Sequence, residues 1–194
     1  MIADLGVFTG KKVKSMKHLY LRHILFLCFC LLTGLTASAY DVEIDEIYYN
    51  FISDEEVEVT SRQLYYSGKD YYYGDMTIPE SVTIANRPYR VTRIGEYAFY
   101  ACWNLSSISI PEKVTTIGYS AFCDCRSLIS ITIPNSVTVI DGSAFDCCNN
   151  LTSVAIGNSV TCIGDQAFSS TALTSITIPN SVTTIGESAF KYCI

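Results

Sequence analysis

An alanine–phenylalanine pair recurs through the second half of the chain, at Ala98-Phe99, Ala121-Phe122, Ala144-Phe145, Ala167-Phe168 and Ala189-Phe190. The steps between pairs are 23, 23, 23 and 22 residues. Other apolar positions keep the same phase: Val114, Ile117, Cys125, Leu128, Ile131 and Ile133 all have counterparts one period on. A unit this short cannot enclose a core alone. It must stack on its neighbours as one coil of a solenoid.

One copy shows how such a coil is built. In Leu128-Ile129-Ser130-Ile131-Thr132-Ile133, Ile131 and Ile133 fall on one face and Ser130 and Thr132 on the other, the alternation of a half-buried strand. Pro134 ends it, since proline cannot donate to a ladder. Asn135-Ser136 turns the chain, and Val137 and Ile140 re-enter the core. A glycine follows in most copies, at Gly95, Gly118, Gly164 and Gly186, where a conformation costly to other residues is expected. Ala144-Phe145 then leads back through a tight or short helical turn to Cys148 and Leu151. The fold expected is a solenoid of 22–23-residue coils, its short parallel strands stacked in register.

The pattern Leu-x-x-Ile-x-Ile-Pro-x-x-Val-x-x-Ile-Gly-x-x-Ala-Phe-x-x-Cys resembles the BspA-like class of bacterial leucine-rich repeat. Five copies of its Ala-Phe half span residues 91–194. Thr77-Ile78-Pro79-Glu80-Ser81-Val82 matches Thr132-Ile133-Pro134-Asn135-Ser136-Val137 and adds a half copy, after which Thr83 to Arg90 is inserted. The resemblance implies a leucine-rich-repeat solenoid and a cell-surface or secreted protein that adheres to host proteins or other cells, and it implies no enzymatic activity. Gly157 departs from the pattern in place of the strand-ending proline, and the chain stops at Ile194 inside a repeat.

Two segments precede the repeats. Residues 1–39 read as a leader and secretory signal peptide, with Met16 the expected true start. Lys17 and Arg22 give a positive start, Ile24 to Leu32 an apolar run, and Ala37-Ser38-Ala39 a cleavage site. The apolar run is short for a membrane span. Residues 40–90 are read as an N-terminal antiparallel β cap, which would cover the first coil's core and strand edge. Eight of the 14 tyrosines fall between Tyr40 and Tyr73, and eight acids between Asp41 and Glu58. Val42, Ile44 and Ile47 with acids between, then Val57 and Val59, suggest strands on either side of a Ser53-Asp54-Glu55 turn. The acids lack the spacing of a calcium loop.

Charge and residue types narrow the function. Beyond Ala39 the chain carries eight basic and eighteen acidic residues, a net charge of −10. Such a surface repels nucleic acid and anionic lipid. Both histidines, His18 and His23, lie in the leader. A Ser-His-Asp or Cys-His nucleophile and a histidine zinc site are therefore missing from the remainder. Cys123-x-Cys125 and Cys147-Cys148 match no usual metal finger, and Asp124, Asp141, Asp146 and Asp165 follow no common motif. No cofactor, catalytic residue or metal ligand is expected. Cys102, Cys125, Cys148 and Cys193 each lie three residues after the repeat phenylalanine, with Thr171 at that place in the fourth copy. They read as a column of small buried side chains, set by size.

Two surfaces are candidates for a partner. One is the outward strip of the sheet, Ser107, Ser109, Ser130, Thr132, Ser153, Ser175 and Thr177, flat and uncharged. The other is a set of aromatic and arginine residues in turns, Tyr100, Trp103, Tyr119 and Arg126, the types that dominate binding hot spots. Trp103 has a second reading, as a plug for the first coil. The expected partner is a protein or glycan on host or neighbouring cells, with no nucleic acid and no transmembrane span in the mature chain. A basic partner's binding would weaken with salt. The alternatives are a structural module that self-associates through an uncapped C-terminal coil, and a fragment of a longer surface protein.

Overall fold

The computed structural model describes residues 40–62 and 72–193, so the leader and signal peptide expected over residues 1–39 lie outside the described residues. In chain order the strands are β1 (Val42–Ile44), β2 (Ile47–Phe51), β3 (Glu56–Thr60), β4 (Gly74–Thr77), β5 (Ser81–Ile84), β6 (Arg87–Ile94), β7 (Leu105–Ser109), β8 (Thr116–Ile117), β9 (Ser130–Ile133), β10 (Val139–Ile140), β11 (Ser153–Ile156), β12 (Cys162–Ile163) and β13 (Thr184–Ile185).

The repeats stack as their period requires. β8, β10, β12 and β13 pair in parallel, aligning Ile117, Ile140, Ile163 and Ile185. β6 joins this stack by pairing Ile94 with Ile117. A second strand-bearing side carries β9 and β11, which pair Ile131 with Val154 and Ile133 with Ile156. On the Ala-Phe side the chain turns without helix. Each phenylalanine N–H donates to the alanine carbonyl of the next coil, from Phe99 to Ala121 at 2.7 Å, Phe122 to Ala144 at 2.8 Å and Phe145 to Ala167 at 2.7 Å. The rings of Phe99, Phe122, Phe145, Phe168 and Phe190 stack nearly parallel, at centroid separations of 4.9, 5.1, 5.1 and 5.5 Å. In-register strands lie about 4.8 Å apart, so one ring per coil at a fixed column has to stack.

The repeat glycines serve a different purpose from the one expected. Among described glycines only Gly74 has a positive φ. The left-handed positions are Tyr97, Ser120, Ser143, Gln166 and Ser188 just before the Ala-Phe alanine, and Ala101, Asp124, Cys147, Ser170 and Tyr192 two residues after the phenylalanine. Gly118 is glycine because coils touch there: a Cβ would lie 2.9 Å from the backbone of Gly95 and Glu96. Gly164 and Gly186 likewise abut the backbone of the preceding coil, and Gly157 abuts Pro134.

The cysteine column is buried at Cys102, Cys125 and Cys148 and half-buried at Cys193. Size is not its whole requirement. Cys125 Sγ–H donates to the Phe99 carbonyl at 3.1 Å, Cys148 to Phe122 at 3.0 Å and Cys193 to Phe168 at 3.2 Å. Thr171 keeps a donor in the column and bonds the Phe168 carbonyl at 2.9 Å.

The N-terminal strands extend the first sheet. β1, β2 and β3 run antiparallel in sequence, and β3 pairs in parallel with β6. The alternation read through Val42, Ile44 and Ile47 breaks into a hairpin at Asp45-Glu46, both left-handed with φ of 49° and 64°. Ile44 and Ile47 are three residues apart, which a single strand could not place on one face. The insertion after Val82 is a second hairpin, β5 against β6, turning at the left-handed Ala85-Asn86. The plug over the first coil is Tyr72, not Trp103. Its ring packs on Phe99 at 4.6 Å. Its hydroxyl accepts from the Tyr48 N–H at 3.0 Å and donates to the Thr60 carbonyl at 2.8 Å. Burial pushes that hydroxyl's pKa well up, so it stays a donor.

Candidate functional site

The outward strip is exposed throughout, but it is not one ladder. Ser107 and Ser109 lie on β7, paired in parallel with β4, so that Asp75 sits beside Ser107 and Thr77 beside Ser109. Ser107 Oγ–H donates to the Asp75 carboxylate at 2.7 Å. Ser130 and Thr132 lie on β9 beside Ser153 and Ala155 of β11. β7 and β9 share no ladder, and Ser175 and Thr177 lie in extended chain outside any strand. The strip presents short hydroxyl side chains and the added acid Asp75.

The turn residues, by contrast, are drawn into two clusters. In the first, Trp103 Nε1–H donates to Asp124 Oδ2 at 2.8 Å. Arg126 reaches the same carboxylate, Nε to Oδ1 at 2.8 Å and Nη2 to Oδ2 at 3.2 Å. The guanidinium also lies over the Trp103 ring, 5.0 Å from its centroid. One acid thus fixes an indole and a guanidinium in a stack, an arrangement that lowers the entropy lost when a partner docks. Asn150 Nδ2–H, from the next coil, bonds the Arg126 carbonyl at 2.7 Å and steadies its backbone. The Asp124 carboxylate raises the pKa of Arg126.

The second cluster holds Tyr97, Tyr100 and Tyr119. Tyr97 meets Tyr100 at 5.9 Å and Tyr119 at 5.5 Å, both edge to face. Tyr119 reaches over the neighbouring coil, where a Cβ on Gly142 would lie 3.3 Å from its ring. The missing side chain of Gly142 makes that seat. Trp103 is 39% exposed and Tyr119 42%. Both clusters lie on the Ala-Phe turns of the first two coils, so Tyr100, Trp103, Tyr119 and Arg126 share one ridge. Asp124 and Tyr97 were not among the residues singled out from the sequence. Their signal was the period: Trp103 and Arg126 lie one repeat apart, so the turn between them holds the partner both can reach.

Cys123 and Cys147 sit half-buried on the same turns. Burial, with the Asp146 carboxylate nearby, pushes the Cys123 thiol up to about 12. Burial and Asp146 also raise Cys147. Both thiols are protonated near neutral pH and are poor nucleophiles. Among the described residues no group of three or more His, Cys, Asp or Glu is placed to hold a metal ion, and no helix is long and apolar enough to cross a membrane.

Stacked short parallel strands around an internal leucine, isoleucine and phenylalanine core define a leucine-rich-repeat solenoid. The chain belongs to the BspA type leucine rich repeat family, which residues 68–194 match in six copies. No curated protein gives a significant sequence match. Among solved structures, a leucine-rich repeat protein from Bacteroides ovatus is 38% identical, with a TM-score of 0.69 over 78% of this chain and 38% of its own. The T. pallidum leucine rich repeat protein is 28% identical, with a TM-score of 0.66 over 79% of this chain and 67% of its own. The pneumococcal vaccine antigen PcpA, at 19% identity and a TM-score of 0.60, covers 81% of this chain and 49% of its own and shares the fold. The chain spans less than half the length of the Bacteroides ovatus protein.

Proposed function

We propose that this chain is an exported, non-enzymatic binding module of a bacterial cell surface, adhesin-like, whose ligand is another protein. The observation that carries the reading is the ridge of Tyr97, Tyr100, Trp103, Tyr119 and Arg126. Large aromatic side chains stand partly exposed there, with Trp103 and Arg126 held by Asp124 and Tyr119 lying over Gly142. Rigid aromatic and arginine side chains supply contact area at low entropic cost. Support for export comes from the signal-peptide pattern before residue 40. Support for a non-catalytic role comes from the lack of any histidine beyond residue 39 and from the raised thiols of Cys123 and Cys147.

The test is a titration of the folded, monodisperse protein against a panel of host matrix proteins and glycans. Saturable binding to a protein, lost in a Trp103→Ala, Arg126→Ala variant of unchanged circular dichroism, is the expected result. Binding that ignores these changes would remove the ridge from the account. Turnover of a hydrolase substrate, abolished by changing one acid, would overturn the non-enzymatic reading.

A further inference from the structure

The repeats themselves provide a comparison, because each column shows what the fold accepts at that place. Where the first coil has Tyr97, later coils have Ser120, Ser143, Gln166 and Ser188. These positions are all left-handed, a conformation that suits a bulky aromatic poorly. Where the first coil has Tyr100, later coils have Cys123, Asp146, Ser169 and Lys191. The column of Trp103 continues as Arg126, Asn149 and Ala172, and Tyr119 stands where Gly142 and Asp165 follow. The solenoid builds its turns without aromatic residues at any of these columns, yet four of them gather on the first two coils. Core packing does not explain them, since all four side chains reach the surface.

Charge narrows what such a patch fits. Between Ile94 and Lys191 the only basic residues are Lys113 and Arg126. Lys113 lies in the turn after β7, away from the Ala-Phe turns, and Arg126 is already engaged by Asp124 at 2.8 Å. Glu96, exposed beside Tyr97, puts a carboxylate on these turns, and the exposed Asp141 lies on the coil that follows Tyr119. Tyrosine and tryptophan rings attract cations through their faces, and carboxylates beside them add to that attraction. We infer that the ridge of the first two coils binds a lysine- or arginine-bearing segment of a partner protein, its cationic side chains seated between the tyrosine rings and the neighbouring carboxylates. The inference rests on the protein-binding reading and gives it a partner chemistry.

Trp103 is the chain's only tryptophan, so its emission reports on this ridge alone. The experiment titrates the full chain with a synthetic arginine- and lysine-rich peptide, a glutamate-rich peptide of equal length and a neutral polysaccharide, following Trp103 fluorescence. The matched variant carries Tyr97→Ser, Tyr100→Ser and Tyr119→Gly, residues that other coils place at the same columns, so its fold is retained. The basic peptide is expected to shift the emission saturably and to bind at least about tenfold more weakly at high salt. The variant is expected to lose about tenfold in affinity at low salt, with unchanged circular dichroism. Equal affinity for the variant, a response to the glutamate-rich peptide or polysaccharide instead, or no response to the basic peptide would each overturn the inference. If matrix-protein binding persists in that variant, the ridge inference falls while the wider binding reading stands. If the parent binds neither the peptide nor any matrix protein, both fall.

Discussion

The ring of Tyr72 lies on the ring of Phe99, centroids 4.6 Å apart, and so begins the phenylalanine stack that runs through every coil. Its hydroxyl meanwhile joins the Tyr48 N–H to the Thr60 carbonyl. One side chain therefore closes the apolar end of the solenoid and satisfies two backbone groups of the strands lying over it. Tyr72→Phe keeps the ring and orphans both groups, so urea unfolding should show a loss of about 1–3 kcal/mol. Tyr72→Ala also opens a cavity and should cost about 3–5 kcal/mol. Equal stability of the phenylalanine variant would mean the hydroxyl contacts contribute nothing.

Gly118 fixes how closely two coils approach. Adding a methyl group there meets the backbone of Gly95 and Glu96 at 2.9 Å, which cannot move without unstacking the coils. Gly118→Ala should cost about 1–3 kcal/mol in thermal or urea unfolding. Gly142→Ala should cost less, because its nearest contacts lie at 3.3 Å and include the movable edge of Tyr119. The opposite order of the two variants would contradict the close-approach account.

The cysteines should divide by position when alkylated at about pH 8. Cys102, Cys125 and Cys148 are buried, and burial raises the Cys125 thiol well above its ordinary range. Cys123 titrates only at about 12, so below that its reactive thiolate is scarce. Mass spectrometry should find these four unlabelled, or slowly labelled, until urea unfolds the chain. Rapid native labelling at Cys125 or Cys148 would show that the column is open.

Glu58 supplies the pH dependence. Burial raises its carboxyl pKa above the ordinary value, only partly opposed by Arg93 and by a hydrogen bond from Asn50. The folded state therefore holds this proton more tightly than the unfolded chain. Its contribution to stability is fully present below the unfolded pKa and is lost as pH rises through the raised one. Glu58→Gln should accordingly be more stable than the parent at neutral pH, with the difference closing as pH falls to about 4. A variant less stable at neutral pH would show that the Arg93 ion pair, at 4.0 Å, outweighs the burial cost.

Much of this architecture was legible because the repeat fixes it. The 23-residue step places Phe122 over Phe99 and Ile140 over Ile117 without further information. The same step puts Arg126 beside Trp103, since they occupy one column. What sequence could not give was the backbone conformation inside the turn. Glycine was expected at the left-handed positions, whereas Tyr97, Ser120 and Asp124 hold them and glycine marks contact between coils. Tyr72 was hidden among neighbouring tyrosines, where nothing local distinguishes the one that reaches the core. The serine strip looked continuous because its spacing is regular. Ladder formation also depends on backbone alignment, and Ser175 and Thr177 lie beyond the paired strands.

The central claim is that the aromatic ridge of the first two coils, and not the hydroxyl strip, contacts the partner. The most direct measurement is a parallel titration of host matrix proteins against the parent chain, a ridge variant with Trp103→Ala and Tyr119→Gly, and a strip variant with Ser130→Tyr and Ser153→Tyr. The account predicts saturable binding by the parent and the strip variant, and at least about tenfold weaker binding by the ridge variant. Binding retained by the ridge variant and lost by the strip variant would contradict it.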